Sequence, residues 1–203
     1  MIAAARRRMR TAAPLVLAAI LVAALAACTE AENRLDVGTP ALQQMRAEVG
    51  LDPCAAGTGP GDDRVDALPE LTLPCLGGGT SVDLASLRGP MVIPVWAQWC
   101  GPCREELPIF QQLEESGSVD VMGINYLDTQ PAAALALLES TGVTFPSVAD
   151  PGGELKEAYP WLTGLPLLMM IDADGAVAFS EFREISSYDE LAALVEDELG
   201  VAP

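Results

Sequence analysis

The chain has 203 residues, half of them apolar, and 29 acidic against 11 basic side chains give a formal net charge of −18. That length and apolar content suit a targeting segment plus one globular domain with a proper core, and exclude a disordered chain. The acidity excludes nucleic-acid binding, and the complete lack of His removes His-based acid–base catalysis, His haem ligation and His-containing metal sites.

Arg6, Arg7, Arg8 and Arg10 precede an uncharged apolar stretch from Leu15 to Ala27. The stretch is too short for a membrane span and has the length of a signal-peptide core. It ends in Leu25-Ala26-Ala27-Cys28, which resembles the lipobox of bacterial lipoproteins. The resemblance implies cleavage before Cys28, a diacylglycerol thioether on that sulfur, and a chain anchored on the extracytoplasmic face of the cell membrane. An ordinary secretory peptide is the plainer alternative. Cleavage removes four arginines and no acid, leaving seven basic against 29 acidic side chains, a net charge of −22. The chain therefore divides into a signal peptide (1–27), a lipid-anchored linker and N-terminal segment (28–64) and a folded domain (65–203).

Residues 29–40 read as a polar tether, 41–49 as a helix stopped by Gly50, and 55–63 as a loop rich in Gly, Pro and Asp. Short strands over 68–76 and 81–83, joined by Gly77-Gly78-Gly79, form an expected N-terminal β-hairpin, and 84–88 a helical turn. A buried strand over 91–97 leads into a helix over 100–116, which Pro108 should kink. Next come a strand over 119–126 and a helix over 131–141 opened by Pro131. A short strand over 145–149 and a short helix over 153–159 follow. The apolar run 167–171 reads as a central strand, and Asp174-Gly175 turns it into a strand over 176–182. An amphipathic helix over 187–199 closes the chain, with Ser187 as N-cap and Asp189 and Glu190 in its first turn. The order describes an α/β fold, a mixed sheet with helices on both faces.

The chemistry is concentrated in Trp99-Cys100-Gly101-Pro102-Cys103. Two cysteines two residues apart at a strand-to-helix junction close and reopen a disulfide with little backbone movement, and in a βαβ context this is a thiol redox signature. With no second CxxC, half of a zinc site is a poor reading.

From Trp96 to Pro108 the sequence resembles the active site of extracytoplasmic, membrane-associated thioredoxins of the TlpA/ResA type. Thr163-Gly164-Leu165-Pro166 resembles their cis-proline loop, and Gly142-Val143-Thr144-Phe145-Pro146-Ser147-Val148-Ala149-Asp150 their central insertion. The likeness spans roughly residues 66–199. It implies a thioredoxin fold with an N-terminal β-hairpin and central insertion, and a thiol–disulfide oxidoreductase that needs no cofactor or metal. Cys100 then matches the exposed nucleophile and Cys103 the recessed, resolving thiol. Glu106 matches an acidic residue that tunes proton transfer at the pair, while Glu105 faces solvent. Trp99, Gly101, Pro102 and Leu165 form the surface offered to the partner, and Pro166, if cis, sets the Leu165 backbone beside Cys100. Pro94 departs from the pattern, standing where related thioredoxins place Asp or Asn. Either a bulge sits there or the strand is locally unpaired. Leu165, Leu167 and Leu168 also make the partner surface more apolar than is usual.

Of the five cysteines, one falls to lipid and two to the motif, which leaves Cys54 and Cys75. In an exported chain they suit a structural bridge, which stabilises by about 3 kcal/mol in the chain-entropy model. A second redox-active pair is the rival. The expected function is reduction of disulfides in specific exported proteins, as in cytochrome c maturation, fed by a membrane electron donor and performed by a monomer. An oxidase or isomerase supporting disulfide formation is the alternative. A peroxidase of the peroxiredoxin type is the alternative from another class, but it would use one peroxidatic Cys after Thr-x-x. A copper-delivering protein would need His.

Overall fold

Two apolar runs, Met91–Trp96 (β3) and Leu167–Ile171 (β7), set the architecture, because every residue of both is buried. Strands buried on both faces lose the usual alternation of polar and apolar residues. In the computed structural model, which describes residues 35–55 and 66–203, these two strands pair antiparallel at the centre of a six-stranded mixed sheet. The expected signal segment, Cys28 and the boundary between residues 64 and 65 lie outside the described residues.

The chain order is α1 (Pro40–Val49), β1 (Thr72–Leu73), β2 (Val82–Asp83), a 3-10 turn (Leu84–Ser86), β3, α2 (Gly101–Ser116), β4 (Asp120–Val121) and β5 (Gly123–Tyr126). There follow α3 (Pro131–Thr141), β6 (Ser147–Asp150), α4 (Leu155–Ala158), β7, β8 (Val177–Glu181) and α5 (Tyr188–Leu199). The sheet runs β6-β5-β3-β7-β8, with β4 beside β3. β5 lies parallel to β3 and to β6, whereas β7 and β8 are antiparallel. This is the mixed α/β sheet expected from the order of elements and the thioredoxin-like fold that the resemblance implies. Four helices end at a glycine in the left-handed region (Gly50, Gly117, Gly142 and Gly200), where the cap N–H satisfies a last-turn carbonyl.

Successive residues of β3 and β7 serve two cores, as the period of two demands. Val92, Trp96, Leu168 and Met170 join Leu42 of α1, Leu107 and Phe110 of α2, Leu135 of α3 and Leu191 of α5. Ile93, Val95, Leu167 and Met169 face the other way, toward Leu73, Val82, Leu84 and Leu155. Most helices thus cover one face, and the hairpin, the 3-10 turn and the single-turn α4 cover the other.

The structure departs from the expected boundaries for reasons visible in its prolines. At Pro94 there is no bulge: the register with β7 runs unbroken from Met91 to Val95. The gap opens on the parallel side. The Met122 N–H donates to the Val92 carbonyl at 3.1 Å. The return bond to the Met122 carbonyl would come from residue 94, whose proline nitrogen has no hydrogen. The strand expected over 119–126 therefore splits into β4 and β5. The strand expected over 68–76 contributes only Thr72 and Leu73 to the hairpin. The chain beyond Leu73 leaves it for the edge of β6: the Pro74 carbonyl accepts from Ala149, and the Leu76 N–H donates to Ser147. That edge would otherwise be open to pairing with other chains. α1, read as a helix beyond a tether, is part of the compact unit Asp36–Pro203, with Val37, Leu42 and Leu51 buried. α2 passes through Pro108 as one helix, giving up the hydrogen bond to the Arg104 carbonyl. A second cis bond, Gly89–Pro90, had no clear sequence signal.

Candidate active site

β3 delivers the chain to Cys100, which is the N-cap of α2, with Gly101 and Pro102 at the first helical positions. Cys100 and Cys103 are joined as a disulfide. The Cys103 N–H donates to Cys100 Sγ at 3.3 Å. The first N–H groups of a helix have no intrahelical partner and carry the positive end of its dipole. A thiolate at Cys100 Sγ would lie on that positive end, which lowers a thiol pKa. One expectation is corrected here. Cys100 is only 4% exposed and Cys103 2%, because bonding to a recessed partner holds both sulfurs inside. The open residue is Trp99, at 53%. Gly101 is exposed, with open space where a side chain would stand, and Pro102 is half-buried.

A carboxylate that the sequence reading missed holds the approach to Cys100. Asp128 is 1% exposed. Its Oδ2 accepts from the Gln98 N–H at 2.8 Å and from Asn125 Nδ2 at 3.1 Å, and its Oδ1 accepts from the Gln130 N–H at 3.0 Å. Beside it, Trp99 Nε1 donates to the Leu127 carbonyl at 3.1 Å. Leu127 takes a left-handed φ of 49°, unusual for a leucine. The turn from β5 to α3 thus grips Gln98 and Trp99 through one side chain and one carbonyl. Three hydrogen bonds offset the cost of burying the carboxylate. The only cue in the sequence is an Asp shortly before a helix-opening proline, which looks like ordinary loop composition.

The Leu165–Pro166 bond is cis, as expected. Leu167 pairs with Val95, so Pro166 reaches the end of β3 from which the dithiol loop departs. Leu165 packs against both cores, including the one that contains Cys100 and Cys103. Leu165 and Pro166, with Phe182, Arg183 and Glu184, line a groove of about 330 Å³.

Glu106 lies three residues after Cys103 on α2 and is 5% exposed, whereas Glu105 is exposed. Glu106 Oε1 accepts from the Ile185 N–H at 2.7 Å, tying α2 to the segment between β8 and α5. Burial pushes its carboxyl up to about 7. The Ile185 bond opposes the rise, and the negative charges of Glu184 and Glu190 add to it. A group that titrates near neutrality beside a dithiol is suited to holding or passing a proton. Glu190 goes the other way, held down to about 2 by the Ser186 N–H, the Arg183 guanidinium and the Ser186 hydroxyl.

Cys54 and Cys75 form the second disulfide, with Cys75 wholly buried and Cys54 5% exposed. Cys75 bridges to Val148 on the edge of β6, so the bond ties the chain after α1 to that edge. Among the described residues, no cluster of acidic or sulfur side chains could hold a metal, and no helix is long and apolar enough to cross a membrane.

A model of the Redoxin family matches residues 64–193. The chain belongs to the Redoxin family. Among its relatives, the thiol:disulfide interchange protein DsbE of Pseudomonas fluorescens biotype C is 36% identical over 129 residues, covering 62% of this chain and 71% of the relative. CycY of Rhizobium leguminosarum bv. viciae, also a thiol:disulfide interchange protein, is 32% identical over 122 residues; the match covers 57% of this chain and 64% of CycY. The solved structure of MTB dsbF superposes with a TM-score of 0.56 at 29% identity, covering 63% of this chain and 94% of that one. A DsbE-like protein from Chlorobium tepidum gives 0.55 at 27%, covering 66% and 95%. This Redoxin-family chain is a thiol–disulfide oxidoreductase of the DsbE/CycY/ResA type, and its one helix-start dithiol fits that chemistry.

Proposed function

We propose that this oxidoreductase works on the extracytoplasmic face of the cell membrane, held there by lipid on Cys28. There it reduces disulfides of specific exported proteins, as cytochrome c maturation requires. The Cys100 thiolate attacks one sulfur of the target disulfide, and the target's other sulfur leaves as a thiolate and takes up a proton. The Cys103 thiolate then attacks Cys100 Sγ, breaking the mixed disulfide and releasing the second target thiol. Two electrons pass to the target, and a membrane thiol donor restores the dithiol. Trp99, Gly101, Pro102 and Leu165 form the contact surface. Cis Pro166 presents the Leu165 backbone to the target, Glu106 handles the proton at the dithiol, and Cys54–Cys75 is structural.

The observation that carries this reading is the buried Glu106 on the same helix as a dithiol whose first cysteine caps that helix. A carboxyl near neutrality can accept the Cys103 proton when that thiol must become a nucleophile. The test is an equilibrium redox titration of the full chain in detergent, with the mass of its N-terminal peptide measured in the same samples. A potential near about −270 mV fits a reductase, and one near about −120 mV marks an oxidant and overturns the reductase reading. An unmodified Cys28, or one removed by cleavage, overturns the lipid anchor.

A further inference from the structure

Among the described residues, five large apolar side chains are exposed: Leu35, Trp99, Leu127, Trp161 and Phe182. Trp99 and Leu127 belong to the clamp beside Cys100. Trp161 (44% exposed) and Phe182 (47%) form a second pair. Their rings meet edge to face with centroids 5.9 Å apart, and Tyr159 stacks obliquely on Trp161 at 5.2 Å. Phe182 also lines the groove at cis Pro166, so the three rings adjoin that groove as an aromatic shelf.

The charge around the shelf is mixed but mainly acidic: the exposed Lys156 stands beside Glu157, and Arg183 follows Phe182. Glu184 lines the groove with Phe182, and Glu157 lies two residues before Tyr159; both are exposed. Among the described residues, neither is in an ion pair. The cation in the groove, Arg183, is already bound to Glu190 at 2.9 Å. Exposed ring faces bordered by carboxylates attract a cationic side chain through both the ring quadrupole and the charge. An uncharged apolar partner would gain nothing from the carboxylates, and an acidic partner would be repelled.

We infer that the Tyr159–Trp161–Phe182 shelf is an accessory docking site for a Lys- or Arg-bearing segment next to the target disulfide. The inference rests on the oxidoreductase reading above and names a substrate class for it. Affinity comes from the cation on the shelf, while the disulfide is read at Pro166 and Cys100. The shelf therefore acts on KM more than on kcat.

The test uses the full chain, reduced and kept in detergent, with two synthetic peptides. Each is closed by one disulfide, and they differ only in carrying Arg or Glu beside it. Because the whole chain is acidic, wild type favours the Arg peptide in any case, so the variants decide. Trp161→Ala and Glu184→Gln should each cut that preference about fivefold through KM, with Trp161→Phe restoring much of it. Equal losses for both peptides, or an unchanged preference, overturn the shelf. So does sedimentation showing that Trp161→Ala converts a wild-type dimer to monomer, which would make the shelf a self-interface. Hydroxyethyl disulfide, too small to span groove and shelf, reports the dithiol alone. If wild type cannot reduce it, the oxidoreductase reading fails; if it can while the variants leave peptide preference untouched, only the shelf fails.

Discussion

Among the described residues the molecule holds two buried disulfides, and their surroundings bear on the proposal that one is a reagent and the other a staple. Cys100–Cys103 and Cys54–Cys75 are about equally hidden, each residue being at most 5% exposed. Burial therefore does not distinguish them. Cys100 caps a sixteen-residue helix and accepts a backbone N–H there, so its reduced form has a ready counter-charge. A groove, an exposed Trp and a neutral-range carboxyl lie nearby. Cys75 sits against the edge of β6, and neither Cys54 nor Cys75 caps a helix. Cys54 Sγ lies 3.3 Å from the Ser147 carbonyl, a group that would repel a thiolate. Redox activity is set by how well the surroundings stabilise the separated thiolate.

That contrast can be broken in four ways. The largest effect should come from Cys100→Ser, which lowers disulfide reduction by about a thousandfold or more because a hydroxyl cannot replace the thiolate. Cys103→Ser should instead accumulate mixed disulfides, visible on non-reducing gels. Turnover in the Cys100 variant would shift the nucleophile to the other pair and collapse the comparison.

Removing the staple (Cys54→Ala with Cys75→Ala) should lower unfolding free energy by about 3 kcal/mol in urea melts, with turnover of the folded protein kept. Lost turnover at full folding would make the pair redox-active.

Glu106 sharpens the comparison through pH. Its folded carboxyl titrates near 7, above the ordinary value of 4.5, so the native state binds the proton more tightly. The stability this contributes is complete below about 4.5 and is lost as pH rises through about 7, amounting to at most ~3 kcal/mol. Glu106→Gln should flatten stability across that window and shift the pH dependence of the second, Cys103-dependent step. Melts that keep the wild-type slope would clear Glu106 of both roles. Glu190, whose carboxyl is held low, acts in a separate window, losing its contribution as pH falls from 4.5 through about 2.

The smallest effect tests the clamp. Asp128→Ala frees the Gln98 and Asn125 donors and should cost about 1–3 kcal/mol, with a slower attack by Cys100 and a changed thiol pKa. Asp128→Asn, which keeps one acceptor oxygen, should recover part of both. A thiol pKa that stays put in the Ala variant would reduce Asp128 to a purely structural residue.

The central strands, the long helices and the dithiol were legible because their signals are local. Met91–Trp96 and Leu167–Ile171 are unbroken apolar runs, Pro131 and Gly142 bracket α3, and Ser187 caps α5 through the Glu190 N–H. Pro94 was legible as a defect, but whether the sheet answered with a bulge or a gap depended on which neighbour its missing N–H faced. Asp128 was illegible for a similar reason, since its partners Gln98 and Asn125 come from different strand ends.

By itself the sequence determined the chemistry: a CxxC at a helix start, no His, and a cis-proline loop in the matching place. The dithiol is a property of one short stretch, in which covalent spacing and helix geometry already bring the two sulfurs together. Only the tertiary structure decided what lies around the dithiol. The burial that lifts Glu106, the clamp at Asp128 and the shelf of Trp161 and Phe182 each join segments far apart in the chain, through packing that no single segment encodes.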